Sequence, residues 1–157
     1  MKIRTLLSVA LSIAALAAPV PLLAQEDGQS AVARWQADPT TIFDATEVDL
    51  DEFLWIARPV VVFGDAPQQP AFQDQMDLIA RRIDDLARRD VVVVTDSDPD
   101  AGSEIRTALR PRGFQMTLIG KDGEVKLRKP SPWSVREISR SIDKMPMRQR
   151  EIRDGGS

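Results

Sequence analysis

The 157-residue chain contains no cysteine, no histidine and no tyrosine, and each absence removes a class of chemistry. Without Cys there is no thiolate nucleophile, no peroxide-reducing thiol and no dithiol exchange. Without His there is no Ser-His-Asp triad and no imidazole to shuttle protons near neutral pH. Zinc sites that draw on these two side chains are excluded as well. Aromatic residues are scarce, three Trp and five Phe, too few for the stacking platforms of a single-strand nucleic-acid binder, and no nucleic-acid partner is expected. Apolar runs are short: the stretch from Leu6 to Ala18 is closed off by Pro19 and Pro21 and falls short of the ~20 residues that span a bilayer. What remains for chemistry is Asp, Glu, Lys, Arg, Ser and Thr.

That short run has the form of an export signal. Lys2 and Arg4 precede it, and prolines and the small Ala24 follow it, the order of a basic, an apolar and a cleavage region. Residues 1–24 are therefore read as a signal peptide cleaved near Ala24, which places the mature chain in the periplasm or outside the cell with no stable membrane insertion. Disulfides persist in such compartments, yet this chain has none to form. A mature length of roughly 130 residues buries about two-thirds of the unfolded surface, enough for a core without staples.

Beyond the signal, residues 25–40 are polar with an isolated Trp35 and read as a flexible linker; 41–152 form one domain and 153–157 a disordered tail. Asp49 and Glu52 have the spacing of a capping box before a short helical turn. The run VVVF at 60–63 has no alternation, as in a strand covered on both faces. Phe72, Met76, Ile79, Ile83 and Leu86 recur at steps of four and three, predicting one amphipathic helix, with Asp77–Arg81, Asp84–Arg88 and Asp85–Arg89 four apart. VVVV at 91–94 is a second buried strand. A short helix around Ile105 to Leu109 stops at Pro111 and Gly113. Two strands then flank Asp122-Gly123, a pair that tolerates positive φ and marks a hairpin. Val135, Ile138, Ile142 and Met145 predict a last helix ending at Pro146. The order is β-α-β-α-β-β-α: a parallel pair, then an antiparallel hairpin, a mixed α/β sheet with helices on both faces.

This order is the core of the thioredoxin fold, and the alignment carries further. QQPA, 68–71, falls on the position of the thioredoxin CxPC, keeping Pro70 and neither sulfur. Gln115, in GFQMTLIGKDGEV, takes the place of the thioredoxin cis-proline; a non-proline cis bond costs about 2.5–4 kcal/mol, so a trans bond is expected there. More specifically, RPVVVF, RDVVVV, LIGKDGEVKLR and IDKMPMRQRE resemble the prokaryotic DUDES domains, a thioredoxin-like family of unknown function, over about residues 35–152. The resemblance implies a thioredoxin-like fold in an exported protein. It implies no catalytic residue and no cofactor.

Three groups of side chains are candidates for a site. Gln68, Gln69 and Gln73, with Gln75 nearby and Gln115 across the sheet, surround the expected start of the long helix, where free N–H groups and the helix dipole favour a small anion; the alternative is that they cap and solvate a helix end. Asp96, Asp98 and Asp100 alternate as in a calcium loop, but Ala101 stands where that loop needs Gly and Thr107 where it needs Glu; the alternative is a solvated loop in which Asp100 or Ser103 caps a helix. Arg136, Arg140, Lys144 and Arg148 mark a basic face able to dock an anionic partner. Residues 25–104 carry a net charge of −12 and 105–157 a net +7, so either the halves interleave and neutralise, or each sign presents a face. The functional expectation is a non-catalytic module binding an envelope protein or a small anionic ligand. The alternatives are a cysteine-independent enzyme, either a cofactor-dependent redox relative or a carboxylate-based hydrolase, and an envelope stress or chaperone-like accessory protein.

Overall fold

The computed structural model describes residues 29–155; the expected signal segment 1–24 and the end of the tail, 156–157, lie outside the described residues. A five-stranded mixed sheet has the spatial order β1-β3-β2-β4-β5. β1 (Ile42–Asp44), β2 (Arg58–Phe63) and β3 (Val91–Asp96) are parallel, whereas β4 (Gln115–Ile119) runs antiparallel to β2 and β5 (Val125–Lys129) antiparallel to β4. Val61 lies between Val94 and Thr117 at the sheet centre.

Because side chains alternate along a strand, β2 and β3 feed two cores at once. Val60, Val62, Val91 and Val93 pack with Phe72, Ile79 and Leu86 from α2 (Pro70–Ala80) and α3 (Ile83–Ala87), and with Val135, Ile138 and Ile142 from α5 (Val135–Asp143). Val61, Phe63, Val92 and Val94 face the other way, toward Trp35, Phe43, Phe53 and Ile105. That second face is covered by α1 (Ala31–Ala37), a 3-10 turn at Leu50–Phe53 and the six-residue α4 (Glu104–Leu109). Asp122-Gly123 makes the expected hairpin turn, with Gly123 at φ 78°.

Several local expectations are corrected. The segment read as linker holds α1, whose first turn is capped by Ser30 accepting from the Ala33 N–H at 3.2 Å. Trp35 is buried; its indole N–H donates to the Val91 carbonyl at 3.2 Å and its ring meets Phe53 edge-on. One long aromatic side chain with a buried acceptor is enough to dock an otherwise polar segment. β1, three residues long, is too short for alternation to mark it in the sequence. The long helix divides at Arg81–Arg82, where Arg82 has φ −143°; of the expected ion pairs Asp77–Arg81 is kept at 3.9 Å, whereas Asp85 engages Arg82 and Arg88, and Arg89 reaches across to Asp143 on α5 at 2.9 Å. Pro146 ends α5 but opens α6 (Pro146–Arg153) at its first position, where its missing N–H costs nothing; the helix thus runs one residue into the segment read as tail. Among the described residues no helix is long and apolar enough to cross a membrane.

Candidate functional site

At the carboxyl ends of β2 and β3, where an open α/β sheet conventionally holds its site, side chains close the edge upon itself. Asp96 is buried and its carboxylate accepts from the Ser103 hydroxyl at 2.6 Å and from Arg106 Nε and Nη2 at 3.0 and 2.6 Å. Arg106 Nη2 also donates to the Gly64 carbonyl at 2.9 Å, and its guanidinium lies 5.5 Å from the Phe63 ring centroid. One arginine of α4 therefore ties the ends of both strands together.

The glutamines around this edge are not gathered into a cavity. Gln68 and Gln73 are exposed. The Gln69 amide is used locally: its carbonyl accepts from the Asp65 N–H at 3.0 Å and its NH₂ donates to the Asp65 carboxylate at 3.4 Å. Gln75 is fully buried and belongs to the core, accepting from the Trp133 N–H at 2.8 Å and donating to the Trp133 carbonyl at 3.0 Å. Gln115 donates to Thr117 Oγ1 at 2.9 Å and its preceding peptide bond is trans.

The three aspartates are dispersed as well. Asp96 is consumed by Arg106, and Asp98 caps a 3-10 turn by accepting from the Asp100 N–H at 3.0 Å. Ser103, not Asp100, caps α4. No group of three carboxylates able to hold a metal ion is present among the described residues, so the calcium reading is set aside on this geometry. Of the basic face, Arg136, Arg140 and Lys144 are exposed along α5. Arg148 is not part of it: the side chain is buried, with Nη1 donating to Glu151 at 3.2 Å and Nη2 to the Arg88 carbonyl at 3.3 Å.

The opposite end of the sheet holds what the sequence reading missed. Arg58, the first residue of β2, is 1% exposed and donates to Glu151 of α6 at 2.8 Å and to the Arg89 carbonyl at 2.9 Å. Lys121 bridges Asp90 at 2.7 Å and Glu151 at 3.0 Å. Burial pushes the Glu151 carboxyl up, but hydrogen bonds from Arg58 and Lys121, the Arg58 charge and the bond from Arg148 outweigh it and bring its pKa down to about 2. The four stretches that carry the DUDES resemblance each supply a member of this cluster: Arg58, Asp90, Lys121, and the set Asp143, Arg148 and Glu151. Apart from Arg148, which pairs within its own stretch, the partners lie up to 93 residues apart and leave no local spacing to find; MPMRQRE is the strap that closes the cluster.

Two pockets flank this end, both touching Gly120. The smaller, about 200 Å³, lies between Arg58, Lys121, Lys126 and the Met145–Met147 corner, and these three cations already hold carboxylates. The larger, about 280 Å³, opens on the second face between the 3-10 turn and α4, over Pro59 and Ile119. It exists because α4 is short: Arg110 takes a left-handed conformation at φ 49° and Pro111 follows, so the helix stops before covering the apolar floor.

Comparison with known proteins bears on the fold. A family described as "Domain of unknown function (DUF4174)" matches residues 49–151. No curated protein matches the chain. Among solved structures, the reduced 2-Cys peroxiredoxin of Plasmodium vivax is 16% identical with a TM-score of 0.55, covering 66% of this chain and 85% of that one. A chloroplastic thioredoxin z is 17% identical with a TM-score of 0.51, covering 66% and 93%. Likeness at this level identifies a thioredoxin-like α/β fold.

Proposed function

The chain belongs to the DUF4174 family of domains of unknown function, and from that premise we propose that it is an exported, non-catalytic thioredoxin-like recognition module of the DUDES type, acting by binding another protein. The observation that carries this reading is the fate of the edge where a thioredoxin keeps its sulfurs. There the chain offers Gln68 to Ala71 with no thiol, and Arg106 is planted across the strand ends in a buried bridge to Asp96. A guanidinium whose Nε and Nη2 are committed to a buried carboxylate and two backbone carbonyls serves as a structural tie across this edge.

The test uses the purified mature chain with hydrogen peroxide and, separately, with a protein disulfide in the presence of a dithiol reductant. No turnover above the uncatalysed rate is expected; turnover with either overturns the reading. Export is tested by fusing residues 1–24 to a reporter that matures only outside the cytoplasm, with a signal expected and its loss on replacing Leu6 and Leu7 by Asp. A second reading has support from the exposed Arg136, Arg140 and Lys144, which enter no ion pair among the described residues: an anionic partner docks along α5.

A further inference from the structure

The pocket over Pro59 and Ile119 differs from its neighbour, whose charged walls are mostly basic, in the sign of its charges. Asp49, Asp51 and Glu104 line it, with no basic residue among its walls, and none of the three is in an ion pair among the described residues. Its remaining walls are largely apolar, including Leu50, Phe53, Ile105 and Leu109. An apolar cavity with unneutralised carboxylates at its mouth is complementary to an apolar group flanked by positive charge.

A second observation lies at the rim. Trp55 is 67% exposed and has φ 64°, the left-handed region that a bulky residue adopts only under constraint. The constraint is visible: the Trp55 N–H donates to the Lys121 carbonyl at 2.7 Å, and the preceding Leu54 lies so close to Gly123 that a Cβ there would sit 2.8 Å from its methyl group. Strained backbone that presents an exposed Trp is not a packing solution, and such strain collects at functional sites. Tryptophan is also among the residues that dominate binding hot spots. Leu54 lines the cavity and is itself 37% exposed, and the exposed Trp55 follows it directly in the chain, so apolar surface continues past the cavity, which suits an extended chain better than a compact small molecule.

We propose that this pocket is the docking site for a basic segment of a partner protein, which inserts one large apolar side chain over Pro59 and Ile119, lays its backbone beside Trp55 and sets Lys or Arg against Asp51 and Glu104. This rests on the recognition reading and names where recognition occurs.

The test is a two-dimensional NMR titration of the mature chain with a capped five-residue peptide: phenylalanine between two lysines, with glycine at each end. Saturable shifts are expected at the Trp55 indole and at Leu54, Ile105, Leu109 and Ile119. A glutamate-flanked peptide should bind about tenfold more weakly, equivalent to about 1.4 kcal/mol, as should the lysine peptide with the Asp51→Lys/Glu104→Lys variant. Both replaced residues are exposed, so the fold is retained, and the unchanged spectrum of the distant β3 valines verifies it. Equal affinity for the two peptides, or no saturable shift up to about 5 mM peptide, overturns the proposal. Shifts confined to α5 or to the Lys121 pocket overturn it while leaving the recognition reading intact. Mass spectrometry of the recovered peptide separates the two ideas further, since chemical change to the peptide sinks the recognition reading itself.

Discussion

The two ends of the sheet hold their charges differently. At the carboxyl end one carboxylate, Asp96, is matched to one guanidinium, Arg106, with Ser103 completing the set; the arrangement is local, since all three residues lie between the end of β3 and the start of α4. At the opposite end Arg58, Asp90, Lys121, Arg148 and Glu151 form a cluster drawn from β2, the α3–β3 corner, the hairpin turn and α6. The first kind of bridge seals an edge. The second fastens the C-terminal strap to the strands, and beside it the surface stays open. The larger pocket thus lies at the end of the sheet opposite the edge that the Asp96–Arg106 bridge closes.

The sharpest way to break the comparison is at the sealed end. Arg106→Met leaves Asp96, 3% exposed, with only Ser103 as a partner, and an uncompensated buried charge costs about 3–5 kcal/mol. Urea denaturation should register that loss, and adding Asp96→Asn should recover a substantial part, because a neutral amide needs no counter-charge. If the double variant is no more stable than the single one, the bridge is not what holds this edge.

At the open end the expected effect is smaller and depends on pH. Glu151→Gln keeps an acceptor but removes the negative charge shared by Arg58, Lys121 and Arg148, for about 2–3 kcal/mol at neutral pH. Since the folded-state pKa lies below the unfolded value, Glu151 contributes stability that is fully present above about pH 4.5 and is lost as pH falls toward about 2. The parent chain should therefore lose roughly 2 kcal/mol over that window, after allowance for solvent screening, and the variant should lose that much less. Parallel stability profiles for the two proteins would show that Glu151 is not the titrating group.

The contrast between local and distant pairing also explains what could be read before folding. The two central strands, the hairpin and the helix faces follow from periodicity, because a period of two or of 3.6 is written in consecutive residues. The break at Arg81–Arg82 does not, since Phe72, Ile79 and Leu86 keep helical spacing across it. Trp35 looked isolated because its acceptor, the Val91 carbonyl, lies 56 residues away. Of the candidate sites, the three exposed cations of α5 could be placed, whereas Arg148 could not: helical spacing carries the stripe through Lys144, and Pro146 then re-aims the next turn inward. The pocket over Pro59 and Ile119 left no trace in any motif, because it arises from what α4 fails to cover.

A milder substitution sharpens the open end further. Trp55→Gly removes left-handed strain worth about 1–2 kcal/mol and adds unfolded-state freedom worth about 0.4–1 kcal/mol. A net stabilisation of about 0.5–1 kcal/mol is expected from thermal unfolding. A side chain kept only for packing would give the reverse sign, so this variant separates a residue held for recognition from one held for the fold.

The smallest effect on stability is expected on α5. Reversing Arg136, Arg140 and Lys144 to Glu touches only exposed positions; the main cost is negative charge near the helix C-terminus, about 0.3–1 kcal/mol. Any change in binding would therefore reflect the surface itself and not unfolding. If an anionic partner docks along this stripe, the parent chain should be retained on an immobilised sulfated polysaccharide and released by moderate salt, because exposed charges are screened over about 8–10 Å at 0.1–0.15 M, and the reversed variant should pass through. Elution of both at the same salt would mean that Lys126, Arg128 and the α6 arginines supply whatever attraction exists, returning the stripe to the role of a solvated helix face.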